Sequence, residues 1–271
     1  MRFKKRKKIK KIYLLPNLLT TGNFFCGIYS IALSMNGSIE KAAWILFVAM
    51  LFDFLDGQAA RMNKASSRFG MEYDSLSDVV SFGIAPGVLI YSACFNQTGK
   101  VGGKIGLAVM FIYSASCALR LARYNTQAAS ISHEENNKPM TFFSGLPSPA
   151  AAGLIAAFLV MAKKYELLYL EKFLPVVAIC AAYLMISSVK YPKFSNLRIL
   201  KEHHFWALVM LVSAIGTMIF FPAVFLFGWA CCYTLYGLMK EFRKKEFNPQ
   251  KAGIKSPLPD KNINRVKQRG N

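Results

Sequence analysis

Residues 53–78 read DFLDGQAARMNKASSRFGMEYDSLSD, and they hold four of the five aspartates in the chain: Asp53, Asp56, Asp74 and Asp78, with Asp260 far away. Each of the four sits in or beside an apolar stretch. An aspartate deep in a membrane span costs about 2.5–3.5 kcal/mol on insertion scales, so four together require a compensating cation. Asp53 and Asp56 are spaced i, i+3 and Asp74 and Asp78 i, i+4, so each pair shares one helix face. The short basic connection between them makes the two helices antiparallel neighbours, and the four carboxylates can converge. Clustered carboxylates repel one another. All-oxygen ligands select a hard divalent cation, Mg²⁺, Mn²⁺ or Ca²⁺, over zinc or copper. Four are enough to bridge two ions about 3.5–4 Å apart, the separation used in phosphoryl chemistry.

The residues between the pairs suit a phosphate. Gly57 follows Asp56 and leaves its backbone open to a ligand, while Ala60 keeps the same face shallow. Arg61 lies on that face one turn beyond Gly57, where its fork can hold a phosphate bidentately. Ser67 and Gly70 fall in the connecting turn. Taken alone, Arg61, Lys64 and Arg68 would equally suit a solvated basic loop at a membrane surface.

Outward from this window, apolar segments recur with short polar breaks. The chain has 271 residues, 54% of them hydrophobic and 14% aromatic, with a formal net charge of +20. Its mean hydropathy of +0.30 shows that apolar and basic residues are segregated. This composition excludes a disordered chain, a collagen-like chain and a small disulfide scaffold. The apolar segments, roughly 17–35, 41–60, 77–96, 104–124, 148–167, 173–190, 204–221 and 222–239, predict an all-α, polytopic membrane helix bundle of about eight transmembrane helices. The last two meet in a tight turn at Phe221-Pro222.

Residues 1–14 form a basic juxtamembrane segment, read as an N-terminal interfacial helix on anionic head groups. No small-residue cleavage site follows it, so the first span is read as retained. Residues 15–240 are read as the transmembrane catalytic domain, and 241–271 as a basic, disordered cytoplasmic tail. With both termini in the cytoplasm, 28 of the 34 Lys and Arg face that side and six face the other, as the positive-inside rule requires. This segregation favours a lipid surface over nucleic acid as the basic ends' partner. The six cysteines lie in or beside apolar segments without a C-x-x-C pair, and the three histidines have no zinc spacing.

The pattern Asp53-x2-Asp56-Gly57-x2-Ala60-Arg61-x8-Gly70-x3-Asp74-x3-Asp78 resembles, without a departure, the signature of the CDP-alcohol phosphotransferase family. The resemblance implies that Asp53 and Asp74 bridge two metals, Mg²⁺ or Mn²⁺, that Asp56 completes one site and Asp78 the other, and that Asp78 is also general base toward the acceptor hydroxyl. It implies contacts to a CDP-linked lipid from Gly57, Ala60, Arg61, Ser67 and Gly70, and from Asn17 and Thr20 of the first span. It further implies a homodimer in the inner membrane with a cytoplasmic active site.

More of the chain resembles a branch of that family that uses CDP-diacylglycerol and L-serine. The matching pieces are Leu15–Asn23, Ser81–Pro86, Arg120–Asn125, Phe143–Pro149 and, more weakly, Val189–Pro192. Arg120 and Arg123, i, i+3 at the cytoplasmic end of the fourth span, can hold a serine carboxylate or the lipid diphosphate, or serve only as positive-inside anchors. Residues 125–147 read as a lid or as a linker, and Pro147 and Pro149 as helix-initiating residues. From the residues alone, other acceptors (glycerol 3-phosphate, choline, inositol phosphate) stay open, as does a cation or proton transporter with intramembrane aspartates.

Overall fold

The computed structural model describes residues 14–62, 68–95, 99–131, 142–187, 189–192, 217 and 221–246. The described chain is helical apart from one short ladder. Helix α1 (Leu14–Met35) and helix α2 (Ile39–Met62) are joined by a tight turn at Gly37, whose φ of 74° suits a residue without a Cβ. Helix α3 (Arg68–Asp78), a π-helical stretch (Val79–Ile84) and helix α4 (Ala85–Cys94) run on as one rod. Helix α5 spans Gly99–Ile131, α6 Ser148–Lys164, α7 Leu168–Glu171, α8 Leu174–Ile186 and α9 Pro222–Glu246.

Five helical stretches among the described residues are long and apolar enough to cross a membrane: Leu15–Met35, Ile39–Met62, Phe69–Cys94, Gly102–Gln127 and Tyr169–Ile186. The apolar part of α9, Pro222–Gly237, is shorter, and α6 has 17 residues. The span expected over 204–221 lies outside the described residues except at 217 and 221, as do residues 1–13 and the tail beyond 246. Two boundaries differ from expectation. The third helix begins at Arg68, nine residues before the apolar segment read from 77, because the polar turns that carry Asp74 precede the apolar run. Helix α9 passes residue 240 and ends at Glu246.

The core is built from small and branched residues. Helix α6 is its axis: Ala151, Ala152, Gly153, Ile155, Ala156, Ala157, Leu159 and Val160 are all buried, against α2, α8 and α9. Its small side chains let neighbouring backbones come close, the usual way for helices to associate without water. Phe158 meets Phe227 of α9 edge-on at 5.7 Å. As Pro147 and Pro149 suggested, α6 opens at Ser148 with proline in its first turn, where no intrahelical N–H is lost.

Of residues 125–147, expected as a lid or linker, 125–131 continue α5 and Phe142–Ser144 form a strand, β1, paired antiparallel with β2 (Lys190–Pro192). The pair is held by Gly145, with φ 85° and its N–H donated to Val189 O at 2.8 Å. A Cβ at Gly145 would run into Met185 O. Leu146 N–H closes the clasp onto Leu184 O at 3.0 Å. Residues 132–141 lie outside the described residues.

Candidate active site

Helix α1 lies along α2, α3, the π stretch and α4, and so stands between the two aspartate-bearing helices. Carboxylate oxygens of Asp53, Asp56 and Asp74 lie within 4.8 Å of one another. Asp56 is only 4% exposed, and its Oδ2 accepts from Thr20 Oγ1 at 2.8 Å. Asp78, 8% exposed, is outside that trio; its Oδ1 accepts from Asn23 Nδ2 at 3.0 Å. Thr20 and Asn23 are i, i+3 on α1, so one helix face serves both aspartate helices.

The backbone of α1 is tied in as well. Ser77 Oγ donates to Thr20 O at 3.2 Å, and Ser81 Oγ donates to Asn23 O at 3.0 Å. The Thr21 and Tyr73 hydroxyls share a hydrogen bond at 3.1 Å. Gly27 makes this approach possible: a Cβ there would stand 2.8 Å from Ser81 Cα.

The π stretch begins directly after Asp78. Ala85 N–H bonds Val80 O, five residues back. Pro86 explains the widening: it offers no N–H to Phe82 O, and its ring would clash with that carbonyl in a regular α-turn. Such single wide turns cluster at functional sites.

Asp74 Oδ1 is buried and has no hydrogen-bond partner among the described residues. Three carboxylates crowded together, one with an orphaned oxygen, fit a divalent cation, because among the described residues no cationic side chain forms an ion pair with any of them. Arg61 lies where the sequence puts it: its guanidinium nitrogens are 3.9 Å from the position of a Cβ on Gly57. Ala60 is half-buried on the same helix, and Gly70 lies in the first turn of α3. Asn17 is half-buried, and its carbonyl accepts from Thr21 Oγ1 at 2.7 Å. Ser67 lies outside the described residues.

The two arginines of α5 part company. Arg120 is 7% exposed, donates through Nη1 to Ser148 Oγ at 2.9 Å, and stands within electrostatic range of Asp53 and Asp78. Arg123 instead caps α8, donating to Ile186 O at 2.8 Å and Ser187 O at 3.3 Å.

Sequence reading passed over Asn23, Ser77, Ser81 and Ser148 as site residues. A signal for the first existed: Thr20 and Asn23 repeat, in an apolar helix, the i, i+3 spacing of Asp53 and Asp56. Ser148 had no such signal, since only the folded chain brings α6 to Arg120.

The model of the CDP-alcohol phosphatidyltransferase family matches residues 13–187. A CDP-diacylglycerol–serine O-phosphatidyltransferase of Helicobacter pylori is 31% identical over 240 residues, 86% of this chain and 92% of its own. An archaetidylserine synthase of Methanothermobacter thermautotrophicus is 36% identical over 193 residues, 70% of this chain and 75% of its own. A CDP-diacylglycerol–serine O-phosphatidyltransferase of Bacillus subtilis is 33% identical over 183 residues, 67% of this chain and 92% of its own.

Proposed function

The chain belongs to the CDP-alcohol phosphatidyltransferase family, and from that premise we propose that it transfers the phosphatidyl group of CDP-diacylglycerol to L-serine, giving phosphatidylserine and CMP. The observation that carries the proposal is the gathering of Asp53, Asp56 and Asp74 within 4.8 Å, with Asp78 one turn beyond Asp74. The activity for which these relatives are named supports serine as acceptor.

In this reading Asp78 takes the proton of the serine hydroxyl. The serine oxygen forms a bond to the phosphorus that bears diacylglycerol, and the bond from that phosphorus to the CMP oxygen breaks. Asn23 fixes the base by holding Asp78 Oδ1, which leaves its other oxygen for the hydroxyl. Thr20 fixes Asp56 in the same way. Arg61 and the open backbone at Gly57 receive the diphosphate, with Ala60, Ser67, Gly70 and Asn17 around the nucleotide. Two divalent cations, Mg²⁺ or Mn²⁺, bound by Asp53, Asp56, Asp74 and Asp78 would neutralise the diphosphate and stabilise the departing CMP.

The proposal extends to eight transmembrane spans with residues 1–14 along the membrane surface, a catalytic domain over 15–240, a basic tail over 241–271, and a homodimer. Both termini and the site would face the cytoplasm of a cell whose inner membrane holds the protein, as the bias of 28 against six basic residues supports.

The test is CMP release from CDP-diacylglycerol in mixed micelles with Mn²⁺ or Mg²⁺. Serine, glycerol 3-phosphate, choline and inositol phosphate are offered separately, with Asp78→Asn as the blank. Release with serine alone is expected. Release only with another acceptor would discard serine and keep the chemistry; appreciable turnover by Asp78→Asn would refute the base.

A further inference from the structure

Arg120 is a guanidinium enclosed in the bundle, and among the described residues no carboxylate forms an ion pair with it. Its described hydrogen bond goes to a neutral hydroxyl, Ser148 Oγ, at 2.9 Å. Its Nε is buried and has no hydrogen-bond partner among the described residues. A desolvated cation left in this state is expensive, and an anion placed on the Nε edge would relieve it. That edge offers parallel donors, the geometry that matches a carboxylate.

The position narrows which anion it is. Arg61 lies over Gly57, where the proposed reading puts the diphosphate. Arg120 faces Asp78 and Asp53 from α5. The acceptor hydroxyl must meet Asp78, so the rest of the acceptor lies on the Arg120 side. Three elements enclose this arginine. Ser148 opens α6, Cys117 lies three residues before Arg120 on α5, and Tyr233 of α9 stands within electrostatic range of the guanidinium. Tyr233 lies outside residues 13–187, the part matched by the family model.

We infer that Arg120 is the subsite for the carboxylate of the acceptor amino acid, and that Ser148 is a positioning residue that holds its guanidinium with the Nε edge free. The inference rests on the proposed serine transfer. It makes the neighbourhood of α5, α6 and α9, rather than the aspartates, the part of the molecule that selects an amino acid over a simple alcohol.

The test measures KM for serine and for CDP-diacylglycerol separately in wild type, Arg120→Gln, Arg120→Lys and Ser148→Ala. Ethanolamine, which has the hydroxyl and the ammonium but no carboxylate, is offered as a second acceptor. Arg120→Gln is expected to raise the serine KM about 10- to 150-fold, the loss of one charge-assisted bond pair. The KM for CDP-diacylglycerol should stay within about threefold, and any preference for serine over ethanolamine should collapse. Lysine keeps the charge without the fork, so Arg120→Lys should fall between. Ser148→Ala should raise the serine KM several-fold at unchanged kcat, and Ser148→Thr should restore it; this pair decides the matter if Arg120→Gln does not fold. A rise in the CDP-diacylglycerol KM instead would assign Arg120 to the donor diphosphate and overturn the inference. Equal losses for serine and ethanolamine would also overturn it. A wild type without serine-dependent CMP release removes the proposed function and the inference together, whereas normal wild-type turnover with an indifferent Arg120 and Ser148 removes only the inference.

Discussion

Replacing Asn23 with leucine tests whether α1 aligns the catalytic base. Asn23 is fully buried and its Nδ2 donates to Asp78 Oδ1 at 3.0 Å, while its own Oδ1 has no partner among the described residues. Leucine keeps the number and branching of the side-chain heavy atoms, but its methyl groups are bulkier than the amide oxygen and nitrogen, so overpacking at this buried position adds a cost to folding. The substitution removes one hydrogen bond to a carboxylate and also one orphaned oxygen, so the two effects on folding oppose each other. Catalysis has no such offset, because Asp78 loses the group that orients it. A hydrogen bond to a charged group contributes about 1.5–3 kcal/mol. At 1.36 kcal/mol per decade, kcat should fall about 10- to 150-fold. KM for CDP-diacylglycerol should hold within about threefold, since the diphosphate side is untouched. The assay is CMP release at saturating serine, beside a thermal-unfolding midpoint in detergent. An unchanged kcat in a folded Asn23→Leu protein would refute the alignment, as would a loss confined to the lipid KM.

EDTA should abolish turnover and Mg²⁺ or Mn²⁺ should restore it; rescue by zinc alone would contradict the oxygen-ligand set. Gly27→Ala should destabilise the fold by about 1–3 kcal/mol, read as a lowered unfolding midpoint, because its Cβ would meet the Ser81 backbone at 2.8 Å. Arg123→Gln should lower the midpoint by an amount equivalent to about 1.5–3 kcal/mol, since it strips the donors from Ile186 O and Ser187 O. The same variant should leave the serine KM unchanged, in contrast to Arg120→Gln.

The aspartates were legible because intramembrane charge is rare and because helical spacing alone decides which carboxylates share a face. The same logic placed Arg61 over Gly57, since i and i+4 meet on any helix. It could not separate Arg120 from Arg123. Both satisfy one spacing rule, and their different fates depend on Ser148 and the end of α8, which lie 28 and 63 or more residues away along the chain. Counting apolar residues finds the third helix only from 77, because it stops at the polar turns before it; the aspartate spacing put Asp74 on a helix, but nothing in it marked the start at Arg68. The β1–β2 ladder was missed for a related reason: three-residue strands have no periodicity to read, and their pairing is fixed by Gly145 and Val189, which the fold brings together.

The wide turn after Asp78 sets a rotational phase between the catalytic half of its helix and the half that packs into the core. Each residue of an α-helix advances the chain by about 100°, so the extra residue in a π turn stores one such step. Deleting a single residue between Val79 and Ile84 would give a better α-helix and a worse enzyme. Phe82, Leu89 and Ile90 could not stay buried while Asp78 still met Asn23. One of the two faces would have to turn away. The helix therefore carries two registers on one backbone, one for chemistry and one for packing, and six residues keep them in step.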